Sequence, residues 1–158
     1  MIRLDERDLA ILRTLSLDGR ITKSALADRV GLSATPCLER LKRLEDSGII
    51  EGYSARIRLK SLGAHVTVFV VAELSDHTGA SFRKFEAAVQ DYDEVIACWA
   101  LGGGYDYLIQ IVTTDIDAYQ RLIDTMLDAR IGLARYYSYI VTKAVKSGAP
   151  PPFDILCA

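Results

Sequence analysis

Apolar positions in the first third of the chain fall at helical spacing. Leu4, Leu9, Ile11, Leu12, Leu15 and Leu17 recur mostly at intervals of three or four and stop at Asp18-Gly19, which predicts a first helix over residues 4–17. Thr22 stands where a cap belongs, and Lys23, Ser24 and Ala25 open a second helix on which Leu26 and Val30 share a face. Gly31 allows a sharp exit. Ser33 or Thr35 then offers an oxygen to the free N–H groups of a third helix, and Pro36 falls in its first turn, where a missing N–H costs nothing. Leu38, Leu41 and Leu44 form the inner stripe of that helix, which closes at Gly48, and Thr35, Glu39, Arg40, Lys42, Arg43 and Asp46 are left facing outward. A short helix, a glycine turn and a longer helix with a basic outer face is the arrangement that enters a DNA major groove. The plainer reading of the same pattern is two packed helices with a solvated face.

Beyond Gly48 the period changes. Residues 49–59 read as extended chain, with Arg56 and Arg58 alternating against Ile57 and Leu59: either a strand or wing whose arginines touch phosphate, or a plain linker strand. From Ala64 the pattern gives a strand at 65–73, a helix at 81–91 with Phe82, Phe85 and Val89 inward, and strands at 95–100 and 107–112 separated by a glycine-rich turn. Thr114 is expected to cap a second helix that uses Ile116, Tyr119, Ile123, Met126 and Leu127, and a closing strand runs over 134–145. The order βαββαβ is the ferredoxin-like split arrangement, so the fold class is α+β. Val66, Val68 and Val70 point to one side of the first strand and Phe69 and Val71 to the other, so the face without helices is expected to be buried against another copy. Residues 147–158 begin as a proline spacer and end apolar enough to dock, at a place the pattern leaves open. The organisation expected is thus a helix-turn-helix domain at 1–53, a hinge at 54–63, a ferredoxin-like domain at 64–146 and a tail at 147–158.

Charge sharpens this division. The net formal charge is −2, but residues 1–60 hold 12 of the 19 Lys and Arg against 9 of the 21 acids, and residues 61–158 hold 7 against 12. Only the first part carries the sign that phosphate attracts, and its excess is modest, which calls for several copies acting together. A chain half apolar and one quarter charged is that of a globular protein. No apolar run reaches the ~18 residues of a membrane span and the first eight residues are too charged for a signal peptide, so a cytoplasmic, nucleoid-associated protein is expected. Cys37, Cys98 and Cys157 are far apart and odd in number, which suits reduced thiols rather than disulfides or a metal site.

One stretch holds more chemistry than a fold needs. In residues 101–106, Leu101, Gly102, Gly103, Gly104, Tyr105 and Asp106, three glycines expose backbone N–H groups beside a carboxylate. Such a loop suits the two ends of an amino acid, with Trp99, Tyr105, Tyr107 and Tyr136 as walls; a β-turn between antiparallel strands wants the same residues. No Lys-Ser/Thr pair follows, against a phosphate loop. Of the two histidines, His65 has no Cys or carboxylate beside it in sequence and His77 follows Asp76 alone, and no catalytic set, cofactor or metal is expected.

Residues 33–45 and 48–53 resemble the DNA-reading helix and wing of the Lrp/AsnC, or feast/famine, regulators; Leu4-Asp5 with Asp8 and Ile11-Leu12, and residues 18–22, are similar to that family's opening. The resemblance covers all but the last ten or so residues. It implies a winged helix-turn-helix domain followed by a RAM-type ferredoxin-like domain, and a regulator of amino-acid metabolism or transport that binds operator DNA. The DNA contacts expected are Ser33, Thr35, Pro36, Glu39, Arg40 and Arg43, with Lys23, Ser24 and Lys42 nearer the phosphates. The loop of Leu101, Gly102, Gly104, Tyr105 and Asp106 lies where the family binds an effector between subunits of neighbouring dimers. The resemblance adds Met126, Ala134, Tyr136 and Ser138 as contacts, although Tyr136 and Tyr137 are bulkier than the family's small or hydroxyl residue. The two-sided apolar sheet and the small positive excess of the first domain lead to the expectation of a homodimer through residues 64–145 that assembles to tetramers or octamers. Sirohaem decarboxylases share this architecture, so an enzyme is the rival class; the basic outer face of the third helix, which such an enzyme does not need, favours the regulator.

Overall fold

The computed structural model describes residues 3–157, so Met1, Ile2 and Ala158, the outer ends of the first domain and of the tail read from the sequence, lie outside the described residues. The chain forms two compact units, residues 1–56 together with 146–158, and residues 57–145.

In the first unit, Asp5 starts helix α1 (Glu6–Leu17) through a capping box: its carboxylate accepts from the N–H groups of Arg7 and Asp8, and the Asp8 carboxylate accepts from the Asp5 N–H. Thr22 caps helix α2 (Lys23–Val30), its hydroxyl accepting from the Ala25 N–H at 3.2 Å. Gly31 ends α2 at φ +67°, and a side chain there would also meet the Arg7 guanidinium at 3.0 Å, so the turn requires glycine. Helix α3 (Ala34–Asp46) follows. Ser33 sits at its N-cap without a side-chain bond, so the expected cap is absent. The inward arc of α3 is Cys37, Leu41 and Leu44, packed on Leu9, Ile11, Leu12, Leu26, Ala27 and Val30. Leu38, expected in that stripe, is only half-buried, because α3 faces α1 and α2 together and the 37, 41, 44 spacing centres on both.

The strand expected over 49–59 does not form. Residues 51–58 belong to no sheet among the described residues and are all exposed, Ile57 at 61%. A strand needs a neighbour to take its hydrogen bonds, and among the described residues of this chain none lies beside this segment.

In the second unit the order is β1 (Val66–Leu74), α4 (Gly79–Ala88), β2 (Val95–Ala100), β3 (Tyr107–Thr113), α5 (Ile116–Asp128) and β4 (Leu133–Ile140). The four strands pair antiparallel in the order β2-β3-β1-β4, the ferredoxin-like sheet. Thr78 caps α4. Asp115, not Thr114, caps α5: its carboxylate accepts from the Ala118 N–H at 2.7 Å, and that bond holds the acid below the usual carboxylate range. An anion serves this helix end better than a hydroxyl. The helix expected over 81–91 stops at Ala88 and tightens into a turn at Val89–Asp91, and the last strand stops at Ile140 rather than at 145.

Alternation along β1 and β3 buries Val68, Val70, Ala72, Leu74, Tyr107, Ile109 and Ile111 against Phe85, Tyr119, Leu122, Ile123 and Met126. The register sets the opposite face in cross-strand rows. One row is Trp99, Leu108, Val71 and Tyr137; the next is Ala97, Gln110, Phe69 and Tyr139. No helix covers them, and Trp99, Tyr137 and Tyr139 are 46%, 44% and 58% exposed.

Asp8 ties α1 to α3. It has no exposed surface, and its carboxylate accepts from Arg40 at 2.9 Å and from Arg43 at 2.6 Å, while Arg40 also donates to Asp5 at 2.6 Å. The Asp8 N–H first and Arg40 next hold the Asp5 carboxyl at about 2. Asp8→Asn keeps the shape and removes the charge, so we expect a loss of about 2 kcal/mol in thermal melts, moderated because both guanidinium groups reach water. Melts that match wild type would show that the pair is not structural. In the same melts on wild type, the Asp5 carboxyl has a depressed folded value, so its contribution is full above 3.8 and is lost as the pH falls through about 2.

Candidate DNA interface and effector loop

The outer surface of α3 carries Thr35, Pro36, Glu39, Lys42, Arg43 and Asp46, all exposed, with Ser33 exposed just before it; Lys23 and Ser24 are exposed on the first turn of α2. Glu39, Lys42, Arg43, Asp46 and Ser47 line one shallow depression. With no side-chain cap, the first N–H groups of α3 are open donors at the positive end of a 13-residue helix. Arg40 stands apart from this set: its side chain is 29% exposed and its guanidinium is engaged by Asp5 and Asp8. Arg43 gives one nitrogen to Asp8 and keeps 45% of its side chain exposed. The sequence reading missed the acids opposite these arginines. The signal was there: Asp8 lies four residues from both Leu4 and Leu12, on the buried stripe of α1, facing two arginines three apart on α3. At the end of the unit Tyr53 donates to Glu45 at 2.8 Å, and burial first, then this bond, push its phenol up to about 12.

The loop of residues 101–106 joins β2 to β3. The Leu101 N–H donates to the Asp106 carbonyl at 2.8 Å and the Asp106 N–H to the Ala72 carbonyl at 2.9 Å, which pins the loop's base to β1. Between them Gly102, Gly103 and Gly104 are exposed, and among the described residues no backbone acceptor takes the N–H of Gly102, Gly103, Gly104 or Tyr105. A side chain at any of the three glycines would meet nothing within 4 Å, so space beside this backbone is open. Tyr105 stands edge-on to Tyr137, ring centroids 5.7 Å apart.

Asp106 is half-buried and already engaged. Its Oδ2 accepts from the Leu74 N–H at 2.7 Å and lies 3.1 Å from His77 Nε2. The sequence reading missed His77, because the β1–α4 connection brings together residues 29 apart. Of the residues carried over by resemblance, Ser138 and Tyr136 lie opposite Val70 and Ala72, on the helix-covered side of β4. The Ser138 hydroxyl shares a hydrogen bond with the Tyr119 hydroxyl, and burial pushes that phenol up. Met126 is 1% exposed, within the core, and Ala134 is exposed at the start of β4. Leu101 is 39% exposed at the edge of the loop. Tyr107, considered as a wall, is buried and donates to Glu86 at 2.9 Å; its phenol is raised by burial and by that acid.

A helix-turn-helix whose third helix keeps its start open and exposes Lys42 and Arg43, in one chain with a ferredoxin-like unit that carries an open glycine loop, has the layout of a DNA-binding regulator with a ligand-binding domain. Residues 4–51 match the winged helix-turn-helix DNA-binding model and residues 67–151 the Lrp/AsnC ligand binding domain. The chain belongs to the Lrp/AsnC family of transcriptional regulators. It is 52% identical over 145 residues to the transcriptional regulatory protein DoeX of Halomonas elongata, covering 92% of each chain. It is 40% identical over 143 residues to the leucine-responsive regulatory protein of Escherichia coli K12, covering 90% of this chain and 87% of that one. Its structure is similar to that of a transcriptional regulator of Neisseria meningitidis solved as an L-Met complex, with a TM-score of 0.90, 35% identity and coverage of 97% and 99%. Among the described residues no helix is long and apolar enough to cross a membrane.

Proposed function

We propose that this protein controls genes of amino-acid metabolism or transport by binding operator DNA through α3 and responding to an amino acid at the 101–106 loop. The functional division is 1–53 for DNA, 54–63 as hinge, 64–146 for effector and assembly, and 147–158 as tail, acting in the cytoplasm on the nucleoid. The observation that carries the DNA reading is the uncapped, exposed start of α3, with Lys42 and Arg43 exposed further along the same helix. Ser33, Thr35, Pro36 and Glu39 face the groove, Lys23, Ser24 and Lys42 the phosphates, and Arg43 a base or a closely held phosphate. Arg40 sets the angle of α3 through Asp5 and Asp8. The relatives named above are transcriptional regulators, which favours this reading over a decarboxylase on the same architecture.

An amino acid suits the loop chemically: open N–H groups face its carboxylate and Asp106 its ammonium. Leu101, Gly102, Gly104 and Tyr105 surround it, with Ala134 near the rim. Met126, Tyr136 and Ser138 shape the support from the β4 side. That one similar structure is an L-Met complex, and that several relatives are named leucine-responsive, points the same way. The uncovered sheet face, with Trp99, Phe69, Val71, Tyr137 and Tyr139, is the dimer surface, and dimers assemble further to tetramers or octamers.

Three measurements test this. On an operator selected from random DNA, Lys42→Ala and Arg43→Ala each flatten the salt dependence of binding by about 0.9 per phosphate lost, where an unchanged slope places the DNA elsewhere. In melts with each of the twenty amino acids, one at 100 times its dissociation constant adds about 2.7 kcal/mol to wild type. Asp106→Asn keeps an acceptor for Leu74 but loses that gain; an equal gain in the variant removes Asp106 from recognition. Tyr139→Glu sediments as a smaller species than wild type at micromolar concentration, and equal masses would put the interface on another face.

A further inference from the structure

The C-terminal segment folds onto the DNA-binding unit rather than onto the sheet from which it emerges. After Ile140 the chain runs through Pro150, Pro151 and Pro152 into a last helical turn, α6 (Phe153–Leu156). The Phe153 ring packs against the core of the first unit, and with Leu12, Leu15, Ile49, Ile50, Tyr53 and Pro151 it lines a cavity of about 340 Å³ that stays open beside it. Beside it Asp154 pairs with Arg13 of α1. Further back Gly148 lies against the Arg56 guanidinium at φ +64°, where a side chain would collide. These are three separate points of fit. The neighbours Ile155 and Leu156 stay 77% and 68% exposed, so the docking selects Phe153 instead of burying every apolar residue of the tail.

We propose that residues 147–157 are an intrachain strap whose site is the groove between α1 and residues 49–53. The DNA-binding unit is thereby joined to the sheet unit by two connections, residues 54–63 and residues 141–152, instead of one. A single exposed linker lets a small unit swing freely, whereas a second, proline-stiffened connection narrows the space that it searches. The strap leaves the outer face of α3 untouched, so it acts on how the reading helix is held and not on what it touches. Because it continues β4, which carries Ala134, Tyr136 and Ser138, it is also a covalent path from the effector loop's side to α1; that consequence rests on the effector reading, and the docking does not.

The test is hydrogen exchange on the full chain, read at the amides of residues 12–16 and 49–53. Phe153→Ala, and a chain ending at Lys146, should speed exchange there about tenfold while β1 and β3 keep their protection. Asp154→Lys should do so more weakly, and Arg13→Glu combined with Asp154→Lys should restore protection. Unchanged exchange in Phe153→Ala and in the shortened chain overturns the strap. Protection that disappears on dilution also overturns it, since the groove is then filled by the tail of a second copy. Should the shortened chain lose protection throughout, Phe153→Ala alone decides, because it removes only the anchor.

Discussion

A carboxylate with no exposed surface has to find its charge partners inside the protein, and Asp8 finds both of its partners on another helix. Burying such a charge costs several kcal/mol, which only close, well-directed donors return. Arg40, Arg43 and the Asp5 N–H supply those donors, so α1 cannot rotate or slide against α3 without stranding a charge. Apolar packing among Leu9, Leu12, Leu41 and Leu44 would tolerate small shifts; the ion pairs do not. A helix that reads DNA needs its side chains placed to within a hydrogen bond, and this network provides that constraint. It has a functional cost, since a guanidinium engaged with two aspartates is less free to meet a base.

The second unit shows the same economy with a different device. Four antiparallel strands fix the 101–106 loop at one end of the sheet; a backbone bond from Leu101 to Asp106 closes its base, and one backbone bond plus the Asp106 carboxylate fasten that base to β1. The loop's tip is left with unpartnered N–H groups only because its base is so well held. A glycine loop without that anchor would sample many backbone arrangements, and ordering it around a ligand would cost more.

Local signals were legible in the sequence and non-local ones were not. The helices announced themselves through apolar spacing, Thr22 and Gly31, and the order βαββαβ followed from the switch to alternation after Ala64. The family resemblance agreed with both units. What failed depended on partners distant in sequence. The strand expected over 49–59 has the right alternation, but a strand exists only where another strand lies beside it. Leu38 lost its place to Cys37 because α3 packs on two helices at once, which spacing along one helix does not reveal. At the start of α5 the sequence reading chose Thr114 as the cap, and its neighbour Asp115 takes that place. Asp106 was visible as chemistry, yet its bonds to Leu74 and His77 came from the tertiary fold. The tail was seen to be dockable, but its groove is made by residues more than 90 positions earlier.

Charge and exposed surface together explain why one chain is not the working unit in the proposed assembly. The first 60 residues carry an excess of only three positive charges, too few for tight binding by a single reading helix against a salt-dependent competitor such as the counterion atmosphere. Several such helices on one DNA segment multiply a weak interaction, provided their spacing is fixed. The row of Trp99, Leu108, Val71 and Tyr137, which no helix among the described residues covers, offers the apolar surface that would fix it, and Tyr105 links that row to the 101–106 loop through Tyr137. In the proposed assembly a ligand seated on the loop would therefore act beside the surface that sets spacing. It changes DNA affinity only insofar as it binds one arrangement of copies better than another, and the same differential affinity must appear as a dependence of ligand binding on DNA.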